Sequence, residues 1–441
     1  EIKHLVQRKL REAYWKYVED MITPTDATDN YQASKRFWSL FKHSRTDSTG
    51  IPSLKYRGQT VADPRDKANL LNNTFYSAFS SPTINSNLPK ETCSPYPDMP
   101  EIHITTNGVA SQLNNLKPYK AAGPDAIRPK VLKELSQSIA PILQIIFTKS
   151  LQSNQVPDDW KQALITPVFK KGDRDCPSNY RPISLTCICS KLMEHIVTSN
   201  MIKHLEQHNI LYYLQHGFRH GRSCETQILE LTTTLQANLN DRMQTDLIIM
   251  DFSKAFDKVC HTKLLTKLDY YGIRNNTLKW ISCFLNNRKQ CVVVNGTQSS
   301  YLPVLSGVPQ GSVIGPSLFL IYINDLPEYV DSTVHLFADD TVMYLTVHNE
   351  DHCAQLQRDI NQLEIWENHW SMNFNPDKCE LLRITRKRTV IEQQYTLHGK
   401  VIKEVNTAKY LGVHISGDLK WNHHIGKITS KANRTLGFVK R

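Results

Sequence analysis

Apolar positions recur at helical spacing from the start of the chain. Leu5, Leu10, Tyr14, Tyr17, Val18 and Met21 are separated by Lys, Arg and Glu, which predicts helix within the first 45 or so residues. Phe37, Trp38, Leu40 and Phe41 form a second apolar cluster, and a further helix is expected over 64–79. Pro82, Pro89, Pro95, Pro97 and Pro100, set among Ser and Asn, then mark a long loop and the best candidate boundary. From Ala110 the pattern is denser. Ala121-Ala122-Gly123-Pro124-Asp125 reads as a turn, followed by one helix carrying Leu132, Leu135, Ile139, Ile142, Leu143, Ile146 and Phe147. A strand is expected over 164–169 and a basic turn over 170–173. Helices are predicted at 190–207, 224–239, 261–271, 276–286 and 351–370, and strands at 247–252, 290–294, 334–338, 342–346 and 379–384. Strands mixed with intervening helices predict an α+β fold. No internal repeat or long low-complexity tract interrupts them.

Composition narrows the class. The 441 residues allow two or three domains or one large multi-lobed enzyme, and an apolar content of 40% supports a real core. Lys and Arg number 53 against 42 Asp and Glu, a formal charge of +11, which suits a polyanionic partner such as nucleic acid. The ten cysteines are scattered without a C-x-x-C pair, which argues against a structural zinc site or a disulfide scaffold and for reduced thiols. The longest apolar stretch, 313–323, contains Gly315, Pro316 and Ser317 and is too short to span a bilayer. The chain opens on charged residues and closes within a helix-like run, so it is expected to be a fragment of something longer.

Candidate chemistry begins with Phe337-Ala338-Asp339-Asp340, between Val334, Leu336 and Phe337 on one side and Val342, Met343, Tyr344 and Leu345 on the other. The segment reads as two strands and a tight turn bearing two adjacent carboxylates. Such a pair is either solvated or compensated by a cation. Asp251, at the end of the apolar run Leu247-Ile248-Ile249-Met250, would bring a third carboxylate to the same sheet edge if strand and hairpin are neighbours. Oxygen donors of this kind suit Mg²⁺, and two such ions about 4 Å apart support in-line phosphoryl displacement. Gly217-Phe218-Arg219-His220-Gly221-Arg222-Ser223 superficially suggests a phosphate loop but lacks the G-x-x-x-x-G-K-[ST] spacing.

Several ordered blocks extend this pattern. They are Lys120-Ala121-Ala122-Gly123-Pro124-Asp125, Tyr180-Arg181-Pro182-Ile183-Ser184-Leu185, and Gln215-His216-Gly217-Phe218-Arg219-His220-Gly221-Arg222-Ser223. Next come Asp251-Phe252-Ser253-Lys254-Ala255-Phe256-Asp257, Ser306-Gly307-Val308-Pro309-Gln310-Gly311-Ser312, Asn375-Pro376-Asp377-Lys378 and Tyr410-Leu411-Gly412. In this order, with Phe337-Ala338-Asp339-Asp340 among them, the chain resembles the reverse transcriptases of non-LTR (LINE-type, jockey-like) retrotransposons over at least 113–416.

The resemblance implies a right-hand polymerase with fingers and palm, an antiparallel palm sheet, a helical N-terminal extension and only the start of a thumb. The implied division is 1–110 extension, 111–416 polymerase domain and 417–441 thumb start. It implies Asp251, Asp339 and Asp340, with the Phe252 carbonyl, as metal ligands for Mg²⁺ or Mn²⁺. Lys170 and Arg181 would bind the incoming triphosphate, although Lys171 is an alternative to Lys170. Phe256 would lie under the nucleotide sugar and exclude a 2′-hydroxyl. Gln310 and Gly311 would position the nucleotide, Lys378 would be general acid for pyrophosphate, and Arg219 and Arg222 would contact template phosphates. Implied partners are an RNA template, a DNA primer or target and dNTPs, with no membrane. Nuclear action is expected, with a cytoplasmic ribonucleoprotein stage. No upstream endonuclease domain or Cys/His knuckle is visible. Rival readings are a non-catalytic polymerase-like RNA scaffold, against which the retained acids speak, and an RNA-dependent RNA polymerase, against which Phe256 speaks.

Overall fold

The computed structural model describes residues 2–22, 50–80 and 94–439. The cluster Phe37, Trp38, Leu40 and Phe41, and Pro82 and Pro89 of the expected loop, lie outside the described residues. Two compact units are distinguished, Glu1–Pro52 and Ser53–Arg441. In the first, the expected helix spans Ile2–Ile22.

The second unit is mixed α and β, built around two five-stranded sheets. One sheet is centred on Gln244–Asp251, flanked by Asp340–Val347 and Glu380–Ile384, with Thr333–Phe337 and Lys403–Glu404 at its edges. Its pairings are antiparallel except the last edge. The central strand is buried on both faces, which accounts for its unbroken apolar run Leu247–Met250. It also begins three residues earlier than its hydrophobicity predicts. Gln244, Thr245 and Asp246 are polar yet fully buried, because Gln244 bonds Asp246 at 2.9 Å and the Tyr395 hydroxyl bonds Asp246 at 2.7 Å.

The other sheet joins Tyr180–Leu185, Gln162–Phe169, Lys289–Val294 and Thr297–Gln298, with Leu302–Pro303 also paired to the third of these. The strand Tyr180–Leu185 escaped the periodicity reading because Pro182 sits inside it. Pro182 stands directly opposite Pro167. Two facing prolines have no N–H to give, and the non-hydrogen-bonded kind of antiparallel pair asks for none.

Among the helices, Cys224–Asn240 opens with a capping box in which Ser223 and Thr226 bond each other's backbone N–H groups. Pro64–Tyr76 is capped by Asp63, which accepts from Arg65 and Asp66. It ends three residues short of the expected 79 and packs on the strand Lys289–Val294. The single helix expected after Asp125 is two, Pro129–Glu134 and Ser136–Ser153, separated at Leu135 with ψ of 17°. Ser136 there bonds Asn114 at 2.8 Å, tying the second helix to Thr106–Asn114. The apolar stretch around Gly315–Ile323 is a core helix, with Leu318 to Ile323 at most 1% exposed. Among the described residues no helix is long and apolar enough to cross a membrane.

Candidate active site

The site grows from one register. Asp340 lies directly opposite Asp251 across the antiparallel pair of central strands, and Asp340 closes the hairpin against Phe337. The two residues of the turn are Ala338 and Asp339, and Ala338 takes a φ of 52°. A non-glycine residue in this region stores about 1–3 kcal/mol of backbone strain, which surrounding contacts must hold.

The three carboxylates therefore sit at the same end of neighbouring strands, as the sequence suggested. Their side chains do not close on one point: among the described residues, no group of three or more His, Cys, Asp or Glu is placed to hold a metal ion. Lys378 Nζ lies 2.5 Å from Asp251 Oδ2. The general acid expected from the sequence is here the counter-ion of the first candidate ligand. Burial, and then the repulsion of Asp251, push Asp339 above the usual carboxylate range. Burial, Asp339 and Asp251 together push Asp340 up to about 6. A cluster of hard oxygen donors, two of them raised by their neighbours, suits a divalent cation.

The Asp251 segment is held from the far side by the loop that carries Lys378. Ser253 N–H donates to Asn373 O and Asn375 N–H to Asp251 O, each at 2.8 Å. These bonds flank a Phe252–Phe374 bridge of the non-hydrogen-bonded kind, so the Phe252 carbonyl faces away from Phe374. The rings of Phe252 and Phe374 stack at 4.1 Å, and the Phe374 N–H donates to buried Glu367.

Basic residues face the acids. Lys170 and Arg181 come from the ends of paired strands, where Phe169 is opposite Tyr180 and Lys170 N–H donates to Asn179 O at 2.9 Å. Partial burial, Arg181 and Lys378 lower the Lys170 ammonium, with Asp251 opposing. Four charged groups from four segments thus share one electrostatic environment.

Phe256 and the 306–312 loop form the adjoining wall. The Phe256 ring stacks on Phe319 at 4.4 Å and 18° and meets Phe218 edge-on at 6.4 Å. Its carbonyl accepts from Val308 N–H at 2.8 Å. Gly307, with φ of 84°, has no room for a side chain, since a Cβ would lie 2.7 Å from the Phe256 oxygen. Gly311, with φ of 115°, meets Ser184 as closely, and Ser184 N–H donates to Gln310 O at 2.7 Å. Here both glycines are needed by the backbone. The Gln310 side chain donates to Asp257 at 2.9 Å, an interaction the sequence did not suggest. Burial pushes Asp257 up and the Gln310 bond opposes it.

Arg219 and Arg222 stand apart from this group. Arg219 binds both oxygens of Glu206 and the carbonyl of Tyr212, and Arg222 Nη1 lies 2.6 Å from His216 Nε2. Both guanidinium groups make internal hydrogen bonds. Asp257, Gln215, Asn375 and Glu367 were missed as supporting residues. The first three lie inside the quoted blocks, and that membership was the available signal; Glu367 offered none.

Comparison with known proteins gives a consistent result. A family model described as reverse transcriptase (RNA-dependent DNA polymerase) matches residues 168–415, more than half the chain. The chain is 27% identical over 352 residues to a probable RNA-directed DNA polymerase from transposon BS of Drosophila melanogaster, covering 76% of this chain and 38% of that protein. It is 26% identical over 424 residues to the RNA-directed DNA polymerase from mobile element jockey of the same organism, covering 91% and 45%. The chain thus spans less than half the length of these relatives.

Proposed function

The chain belongs to the reverse transcriptase (RNA-dependent DNA polymerase) family, and from that premise we propose that it is the polymerase portion of a non-LTR retrotransposon protein. It joins dNTPs to a primer 3′-hydroxyl along an RNA template, with target DNA supplying the primer. The observation that carries the reading is the register placing Asp340 opposite Asp251, with Asp339 beside it in the hairpin turn and Lys170 and Arg181 facing them.

In this reading the sheet centred on Gln244–Asp251 is the palm and the sheet containing Tyr180–Leu185 belongs to the fingers. Residues 1–110 form an extension, 111–416 the polymerase domain and 417–441 the first part of a thumb. Asp251, Asp339 and Asp340, with the Phe252 carbonyl, would hold Mg²⁺ or Mn²⁺. Bound there, the ion supplies Lewis-acid stabilisation of charge developing on phosphoryl oxygens. Lys170 and Arg181 neutralise the triphosphate, Arg181 with a planar fork suited to phosphate oxygens. Phe256 bars a 2′-hydroxyl, and Gln310 and Gly311 shape the wall beside the base. Lys378 serves as general acid to the departing pyrophosphate through Nζ. Arg219 and Arg222 contact the phosphate backbone of the template. The protein works in the nucleus and travels as a cytoplasmic ribonucleoprotein.

Primer extension on an RNA template tests this, with dNTPs against rNTPs and Asp339→Ala as control. Extension with dNTPs that disappears in the control is expected. A folded protein that binds RNA but extends nothing under Mg²⁺ or Mn²⁺ would favour a non-catalytic scaffold.

A further inference from the structure

The block beginning at Gln215 also reaches the acid turn. Residues 214–217 run along the open edge of the strand Thr333–Phe337. Gln215 bridges Leu336 in parallel fashion, Leu336 N–H donates to Leu214 O at 3.0 Å, and His216 N–H donates to Leu336 O at 2.9 Å. At the end of this pairing stands the Gln215 side chain, 2% exposed. Its Oε1 accepts from Gly217 N–H at 2.8 Å and from Ala338 N–H at 3.1 Å.

Ala338 is the strained residue of the acid turn, with φ of 52°. Its N–H is buried and needs an acceptor, and the one it finds comes from a segment more than a hundred residues away. The approach is close: a Cβ on Gly217 would lie 2.4 Å from the Ala338 nitrogen. The amide orientation follows from its partners, since the reverse would aim NH₂ at two N–H groups. Gln215 Nε2 is buried with no partner among the described residues. An unmet buried donor is destabilising, so the residue's contribution lies in its oxygen.

We propose that Gln215 is a positioning residue that clamps the Ala338–Asp339 turn and so sets the affinity of the acid pair for a divalent cation. This rests on the polymerase reading above, in which those carboxylates hold the metal. The clamp joins two blocks that are far apart in sequence, and it makes the Arg219 and Arg222 bonds intelligible as bracing for the same loop.

The test measures Mn²⁺ binding to the full chain by electron paramagnetic resonance titration, beside primer extension, with Asp339→Ala defining signal from the acid pair. Gln215→Met keeps the side-chain length and removes the acceptor. It is expected to raise the Mn²⁺ concentration for half-saturation roughly fivefold, the equivalent of about 1 kcal/mol. The metal requirement for extension should shift alike, with affinity for primer–template unchanged. Gln215→Glu keeps an acceptor oxygen for the two N–H groups and is expected to restore binding to within about twofold of the native protein.

Should Gln215→Met fail to fold, Gly217→Ala pushes on the Ala338 nitrogen with the acceptor intact and is expected to weaken Mn²⁺ in the same way. A folded Gln215→Met protein that binds Mn²⁺ as the native one does overturns the proposal, as does native binding by Gly217→Ala. A native protein that binds Mn²⁺ at the acid pair yet extends no primer overturns the polymerase reading and leaves the clamp standing.

Discussion

Truncating Phe256 to alanine tests whether this ring selects the sugar. Its backbone would stay in place, because the Phe256 carbonyl is held by Val308 N–H at 2.8 Å whatever the side chain. The ring itself is backed by Phe319, stacked at 4.4 Å and wholly buried, so it cannot retreat from a group pressed against its open face. Forcing extra atoms into such a wall costs about 1–3 kcal/mol, equivalent to roughly 5- to 150-fold in rate. Phe256→Ala should therefore lower the dNTP/rNTP ratio of kcat/KM by about 10- to 100-fold, chiefly through faster ribonucleotide use. Phe256→Val should fall between. The substitution also removes the Phe319 stack, and for a half-buried phenylalanine a stability loss of about 2 kcal/mol is expected. Single-nucleotide extension with each dNTP and its matching rNTP reads the ratio, and thermal melting confirms the fold. A folded, dNTP-active variant with unchanged selectivity would refute the assignment of Phe256 to the sugar.

Other consequences follow from neighbouring residues. Lys378→Gln frees Asp251 Oδ2, so the metal needed for half-maximal extension should drop, by no more than about fivefold for a partly exposed pair. At saturating metal its kcat should fall about 100-fold through loss of the proton donor, and an unchanged kcat would reduce Lys378 to a counter-ion. Asp340→Asn relieves carboxylate crowding, and after discounting for solvent it should stabilise the metal-free protein by about 1 kcal/mol while impairing extension; a lower melting temperature would contradict the crowding. Mn²⁺ at about ten times its dissociation constant should stabilise the native protein by roughly 1.4 kcal/mol but not Asp339→Ala, as melting curves would reveal.

His335 gives a pH test away from the acids. It is 1% exposed, and burial followed by His216 pushes its pKa down to about 4. The folded value lies below the unfolded one of 6.5, so its stabilising effect is complete above pH 6.5 and is lost as pH falls toward 4. His335→Phe, able to keep the contact with Tyr344, should remove up to about 3 kcal/mol of that acid loss; equal urea midpoints at pH 5 relative to pH 7.5 in both proteins would argue against it.

Local pattern located most of the elements because their residues carry the signal themselves. Leu247 to Met250 are uniformly apolar and become the central strand. The apolar runs around Asp339 and Asp340 become the hairpin arms Thr333–Phe337 and Asp340–Val347. Motif order was equally legible, since a family's blocks keep their sequence whatever their partners in space. The pattern faltered where a distant residue decided the outcome. Gln244 and Asp246 are polar yet lie in the core, because Tyr395 satisfies Asp246 from about 150 residues away. Pro182 entered a strand because Pro167 faced it.

The sequence by itself determined the mixed α and β class, the family blocks and the three carboxylates, all of which reside in short runs of the chain. Tertiary structure alone decided that Asp340 faces Asp251, that Lys378 occupies an Asp251 oxygen, that Gln310 binds Asp257 and that Gln215 clamps the turn. Each of these is a hydrogen bond, ion pair or register between segments dozens to more than a hundred residues apart. Periodicity, which compares a residue only with its neighbours in the chain, carries no information about such pairs.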